Sequence, residues 1–251
     1  MTFRGAFKSA LTFMTRVPVG ATSSEWAAFC ATPATFPLVG FVLGTVLSIP
    51  LLAAGWLPAS TVAVGYLLGV YLLTGIHHLD GIADLGDAAV VHGNRERRHA
   101  VLKDTTTGVG AIAAVTLLLI GLALAALEVA TLPLLVAVGI VIGAEVGGKL
   151  GMAAMACFAT ASHEGLGSQL TSAVGPRAFV LPAAVGAPAL VVTWPHPAGG
   201  LAVFGALLGA AVPWWWARRN LGGVSGDVFG AANELGRLFG LHAGVIAWTL
   251  W

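Results

Sequence analysis

The sequence predicts an all-α, polytopic integral-membrane bundle of about six to seven transmembrane helices with an amphipathic amino-terminal helix. Three observations carry this. Of 251 residues, 57% are hydrophobic and only 9% charged, against about 25% charged in soluble domains, and mean hydropathy is +0.90. The apolar residues gather in runs of roughly 20, the length that crosses a bilayer core as a helix. The charges fall between those runs, so the net charge of +1 conceals a strong segregation.

Residues 1–20 place Phe3, Phe7, Ala10, Leu11, Met14 and Val17 at three- and four-residue steps among Arg4, Lys8 and Arg16. This pattern suits a helix lying on the membrane surface better than a cleaved leader, which needs an unbroken apolar core. Pro18 and Gly20 end it, and 23–35 reads as a connecting loop. Spans are expected near 36–55, 59–76, 108–127, 132–148, 178–194 and 198–217, with a marginal last one near 238–251. The stretch 128–160 is open to two readings, one helix running past Lys149 or two pieces. Gly40/Gly44 and Gly65/Gly69 are small-xxx-small pairs that suit close helix contact. No stretch is left for a separate aqueous domain, so residues 1–251 are expected to form one membrane domain. Cys30 and Cys157 have no metal-ligand spacing and read as small apolar residues.

Cytoplasmic loops collect Lys and Arg. With the amino terminus inside, seven crossings bring all twelve basic residues to that side. The expected location is a multi-pass protein of the plasma membrane. The same threading puts Asp80, Asp84, Asp87, Asp104, Glu145, Glu164, Asp227 and Glu234 at the cytoplasmic boundary, while Glu25, Glu96 and Glu128 read as plain surface charges. Acidic groups near a membrane are costly unless they line an aqueous site or hold an ion. An acidic pocket at one boundary is therefore expected.

Its centre is HHLDGIADLGD at 77–87. Asp80, Asp84 and Asp87 stand at i, i+4 and i+7, one helical face, with no lysine to offset them. Such a ridge suits a divalent metal that keeps positions free for phosphate oxygens; the plainer alternative is a solvated helix exit. In LKDTTTGVG at 102–110, Lys103, Asp104 and the threonines precede an apolar helix. They suit either an anion held at a helix start or an ordinary cap. HEGLGSQL at 163–170 and GGVSGDVFGAANELGRL at 222–238 are glycine-rich, weak alone, and add Glu164, Gly226, Asp227, Asn233 and Glu234. His77 and His78 stand immediately before Asp80, and either one could meet phosphate or orient an aspartate, with His78 at the closer spacing. His92, His99, His196 and His242 have no such pattern, and Trp214–Trp216 read as an interfacial belt.

Taken together and in order, HxDGxxD at 78–84, KDTTTGVG at 103–110, EGLG at 164–167 and GGVSGDVFGAANELG at 222–236 resemble the cobalamin synthase family, the adenosylcobinamide-GDP ribazoletransferases. RVPVG at 16–20 and FPLVGFVLG at 36–44 extend the resemblance over nearly the whole chain. It implies a Mg2+-dependent transfer that joins adenosylcobinamide-GDP to alpha-ribazole, or its 5'-phosphate, with loss of GMP. On that reading Asp80, Asp84 and Asp87 bind Mg2+, with Asp104 and Asp227 as further ligands or as the base. Lys103, Lys149 and Arg98 neutralise phosphate, and His78, Glu164, Gly226, Asn233 and Glu234 line the substrate site. The expected partners are those two small molecules and the lipid bilayer, with no nucleic acid and with homo-oligomerisation left open.

Two rivals are weighed against this. A CDP-alcohol phosphatidyltransferase also sets aspartates at helical spacing, but expects DGxxAR, and here Gly81 is followed by IADLGD. A cation-coupled transporter expects ionisable residues at mid-membrane in broken helices. Glu145 is the residue that decides this, if it sits at mid-membrane beside a continuous cavity.

Overall fold

With no water in the hydrocarbon core, each backbone N–H of a lipid-facing segment must be satisfied within that segment, so apolar runs become helices. The computed structural model describes residues 2–251 and shows this throughout, with no strand among the described residues. In order the helices are α1 (Phe3–Met14), α2 (Ser23–Cys30), α3 (Thr35–Leu47), α4 (Ala59–Thr74), α5 (His77–Val90) and α6 (Arg95–Val101). Then follow α7 (Val109–Val129), α8 (Leu134–Phe158), α9 (Leu166–Ser172), α10 (Val180–Gly186), α11 (Ala198–Asn220) and α12 (Gly226–Leu250). Four segments, Thr35–Ala53, Val109–Val129, Leu134–Phe158 and Ala198–Asn220, are long and apolar enough to cross a membrane unaided, and two bent pairs raise the number to six. The protein is a helical membrane bundle.

Several expected boundaries move. The stretch 23–35 is not all loop: Thr22 and Glu25 form a reciprocal capping box that starts α2. The second span stops at Thr74, where Gly75 adopts φ +74° and the chain turns by 94° into α5. The stretch 128–160 resolves in favour of a single 25-residue helix, α8, running through Lys149. The region 178–194 is not one helix. Short 3-10 turns at Pro176–Phe179 and Ala187–Val191 flank α10, and α9 meets this segment at 90°. The last helix begins at Gly226 rather than near 238, so the glycine-rich run is mostly helix and its glycines serve packing.

Helices α8, α11 and α12 pack on one another at the centre, with α3 against α8. Close approach is built from missing side chains. A Cβ on Gly40 or Gly44 would stand 2.8 Å from the Val146 Cα or 2.7 Å from the Ile142 Cα, so α3 and α8 meet backbone to backbone. The second predicted pair, Gly65 and Gly69, meets only side chains at ordinary contact distance. Helix α5 lies across the first turns of α12 and α7. Gly230 passes the His78 backbone and Gly81 the Asp227 backbone on one side; Gly86 passes Gly110 and Ala114 on the other. The helix therefore sits at the mouth of the bundle, bent 94° away from α4.

Candidate active site

Helix α5 divides its faces cleanly. His78, Gly81, Ile82, Leu85 and Ala88 are buried against the bundle, and the i, i+4, i+7 ridge of aspartates turns the other way. Asp80 is exposed, and Asp84 and Asp87 are half-buried. Asp227, in the first turn of α12, is half-buried and accepts a hydrogen bond from Ser225 Oγ at 3.1 Å. Partial burial, and then the carboxylates of Asp80, Asp227 and Asp87, push the Asp84 carboxyl up to about 6. Among the described residues, no Lys, Arg or His side chain forms an ion pair with Asp80, Asp84 or Asp227. No three His, Cys, Asp or Glu side chains among the described residues converge closely enough to enclose a metal unaided.

The third aspartate is also bonded into the fold. Both Asp87 oxygens accept backbone N–H groups of the next span, from Gly108 and from Ala111, each at 2.8 Å. Asp87 thus caps α7, satisfying amides that a helix start leaves open. Asp104, expected near that start, instead folds onto its own turn. Its Oδ1 accepts from the Thr106 N–H at 3.0 Å and hydroxyl at 2.8 Å, which holds its carboxyl below the usual range. Lys103 and Glu164 are exposed. Arg98 donates from Nη1 to the Gly93 carbonyl at 2.8 Å. Gly226 opens α12 beside Leu166.

The loops of this mouth are tied together. His99 Nε2 is 3.0 Å from the Leu221 carbonyl oxygen, and the His99 and His163 rings meet edge to face at 5.7 Å. Residues Ala161 and Val224 pair as a parallel bridge. The α6, α8–α9 and α11–α12 loops therefore surround the aspartate ridge.

Comparison with known sequences now becomes decisive. The family model described as cobalamin-5-phosphate synthase matches residues 6–245. The chain belongs to the cobalamin-5-phosphate synthase family. It is 51% identical to the adenosylcobinamide-GDP ribazoletransferase of Halorubrum lacusprofundi, over 97% of this chain and 98% of the relative. The enzyme of the same name from Halobacterium salinarum is 53% identical over 78% of this chain and 99% of the relative, and that of Haloquadratum walsbyi 39% identical over 98% of both. No solved structure matches the chain. The protein is accordingly an enzyme of cobalamin synthesis, built on membrane helices.

For this family member the sequence placed Glu145, Lys149 and Glu234 at the membrane boundary, and here the structure corrects it. All three are fully buried, Glu145 and Lys149 near the middle of α8 and Glu234 in α12. Sequence reasoning missed the residue that joins them, Arg237, assigned to a loop and in fact 1% exposed. Arg237 donates from Nε to Glu145 Oε1 at 2.5 Å and from Nη1 to Glu234 Oε1 at 2.6 Å, and Lys149 pairs with Glu145. Asn233 donates from Nδ2 to Glu234 at 3.1 Å and to His78 Nδ1 at 2.9 Å, which leaves the imidazole proton on Nε2. The signal was present: Glu145/Lys149 and Asn233/Glu234/Arg237 are ionisable and amide groups at helical spacing inside apolar helices. Glu145 lies near the middle of an apolar helix, but no continuous cavity reaches it, since it is 1% exposed with both oxygens bound to cations.

Proposed function

We propose that the enzyme joins adenosylcobinamide-GDP to alpha-ribazole, or to its 5'-phosphate, with release of GMP, in a Mg2+-dependent reaction at the cytoplasmic face of the plasma membrane. The observation that carries this reading is the set of uncompensated carboxylates at the bundle mouth, on α5 and at the start of α12, in a chain whose relatives bear the name adenosylcobinamide-GDP ribazoletransferase. Carboxylates cannot meet a pyrophosphate directly, and Mg2+ is ordinarily held by one or two carboxylates while water and phosphate oxygens complete its shell. Hard oxygen donors with no cation among them, half-open to solvent and not closing on an ion unaided, fit that description.

Asp80 and Asp84 would hold the ion, with Asp227 facing them from α12. Bound there, Mg2+ would supply the counter-charge that lets a doubly anionic diphosphate enter an acidic site. The reacting atoms are a ribazole hydroxyl and the cobinamide-linked phosphorus: the O–P bond forms as the P–O bond to GMP breaks. Asp227, kept oriented by Ser225, takes the hydroxyl proton. Ser225 Oγ bonds the Asp227 carboxylate and caps no backbone amide of α12, so the first-turn amides of that helix are left for phosphate oxygens. Arg98 on α6 and Lys103 just after it meet phosphate charge that builds on the departing GMP. Lys149 acts from within the bundle: with Arg237 it fixes Glu145 and Glu234, and so Asn233, His78 and the start of α5. Asp87 sets the angle between α5 and α7.

The test is purified protein with adenosylcobinamide-GDP and either ribazole form, followed for GMP release with Mg2+ and with chelator. Release should need the metal and one of the two acceptors. Release that is indifferent to chelation would remove the metal assignment, and no release with either acceptor would remove the reaction.

A further inference from the structure

An apolar cleft of about 400 Å3 runs down the side of the bundle, within the range of about 300–1,000 Å3 typical of ligand clefts. Its floor is α12, through Ala231, Leu235 and Leu238; α5 and α7 form one wall and α11 the other. Rim residues Leu117, Val212 and Trp215 are 69%, 47% and 57% exposed, so the cleft is open along the apolar flank of the bundle. At its upper end, Trp215 is shared with a second cavity lined otherwise by Arg95, Arg218 and Arg219. Arg219 lies over the Trp215 ring at 4.4 Å, and Arg95 Nη2 donates to the Arg219 carbonyl at 3.3 Å. None of the three arginines forms an ion pair among the described residues. A wholly apolar slot thus meets a triple positive charge at the mouth end of α11, with one tryptophan as the hinge between them.

We infer that this is a binding site for an anionic phospholipid, with an acyl chain in the cleft and the headgroup phosphate on Arg95, Arg218 and Arg219. Charge complementarity selects the occupant. A zwitterionic lipid brings its own cation to a pocket that already holds three, and a soluble phosphate compound leaves the apolar slot unfilled. Arginine forks match phosphate oxygens in bidentate fashion, and basic residues at the headgroup level attract anionic lipid. Arg95 belongs to α6, in the loop that follows the aspartate ridge, and Leu85 and Gly86 of α5 line the cleft itself. The lipid would therefore brace α5 from behind, which gives the membrane a part in an enzyme whose substrates are water-soluble.

Native mass spectrometry of the detergent-purified full chain, titrated with phosphatidylglycerol and with phosphatidylcholine of identical chains, tests this. Wild type should retain phosphatidylglycerol in preference by at least about tenfold, as three surface arginines predict. The triple variant R95Q/R218Q/R219Q should lose the preference while still binding both lipids weakly. V212W, which narrows the slot and leaves the arginines, should weaken both lipids and keep the preference. Equal binding of the two lipids by wild type overturns the proposal, as does an unchanged preference in the triple variant. Displacement of phosphatidylglycerol by inorganic phosphate at millimolar concentration overturns it in favour of a soluble ligand. Intact thermal unfolding of each variant separates these outcomes from misfolding.

Discussion

Two clusters of charge lie a few turns apart in this enzyme and are built on opposite principles. In the middle of the bundle, Glu145 and Glu234 face Lys149 and Arg237, two anions and two cations with every charge paired. At the mouth, Asp80, Asp84 and Asp227 face no cation among the described residues. Burying a charge is tolerable only when it is paired and hydrogen-bonded, and the central four meet that condition within the protein. The outer three have no such partner and keep contact with solvent, Asp80 exposed and Asp84 and Asp227 half-buried, so their charge is open to a ligand. The contrast separates charges paired within the fold from charges left unpaired at its mouth, although both sets read alike as acidic residues in an apolar chain.

Breaking the paired cluster should have the largest effect on the fold. Arg237→Met leaves Glu145 and Glu234 short of a cation in a dry interior, and breaking a buried pair from one side costs about 3–5 kcal/mol. Cys30 and Cys157 are free and buried, so a thiol-reactive dye reports unfolding directly. The variant should unfold well below wild type, and Arg237→Lys, which keeps the charge and loses the fork, should fall between. Wild-type stability in Arg237→Met would mean that the central four do not hold the bundle.

Neutralising one member of the unpaired cluster should do the reverse. Asp84→Asn should lower turnover by about two to three orders of magnitude, as loss of one electrostatic contact to the transition state does, without loss of fold. Its pH behaviour sharpens the point. Because the folded-state carboxyl is raised to about 6 from 3.8, the native protein binds that proton more tightly than the unfolded chain. In chelator, wild type should therefore gain stability as pH falls from above 6 towards 4, the stabilisation being lost again as pH rises through 6. Asp84→Asn should flatten that dependence. A wild type whose melting point falls over the same window, with Asp84→Asn unchanged, would show that the carboxylates are not crowded.

How far the sequence foretold this contrast can be judged residue by residue. The helical bundle, the spans α3, α7 and α11, the surface of α5 that bears Asp80 and Asp84, and the approach of Asp227 from the far end of the chain were legible. Each rests on hydropathy or on helical spacing, which are local. The depth of Glu145, Lys149, Glu234 and Arg237 was not, because a charge within an apolar run looks the same at a helix end as at its middle until the partner helix is known. Only the register of α8 against α12, set where Gly240 passes the Ala144 backbone and Gly148 passes Gly236, brings Glu145 to Arg237. The broken segment between α9 and α11 was hidden for a related reason: Pro182 and Pro188 sit in a run apolar enough to pass as a span.

Asp87 tests the contrast from its border, since it stands on the aspartate ridge yet is satisfied. Asp87→Ala removes two charge-assisted bonds to the start of α7 and should cost about 1–2 kcal/mol. Asp87→Asn keeps one acceptor and should recover about half of that. Activity should track stability through this pair. An Asn variant as stable as wild type but inactive would move Asp87 from the cap to the metal.

The smallest effect is expected at Asp104. Its carboxylate is exposed, bonded within its own turn to Thr106, and nearer in influence to Arg97 than to the α5 aspartates. Asp104→Ala should leave the unfolding temperature unchanged within error, because an exposed turn of this kind restrains little of the bundle. Its effect on turnover is the informative measurement. If the KDTTTG loop at 103–108 stays as it is when substrate binds, Asp104→Ala should retain most of the wild-type rate, and the unpaired cluster is complete in Asp80, Asp84 and Asp227. A loss comparable to that of Asp84→Asn, with KM for adenosylcobinamide-GDP unchanged and Asp104→Glu partly active, would require the loop after α6 to fold down on the ridge during turnover. The site would then gain a fourth carboxylate that the resting enzyme keeps apart, held off by the two bonds to Thr106.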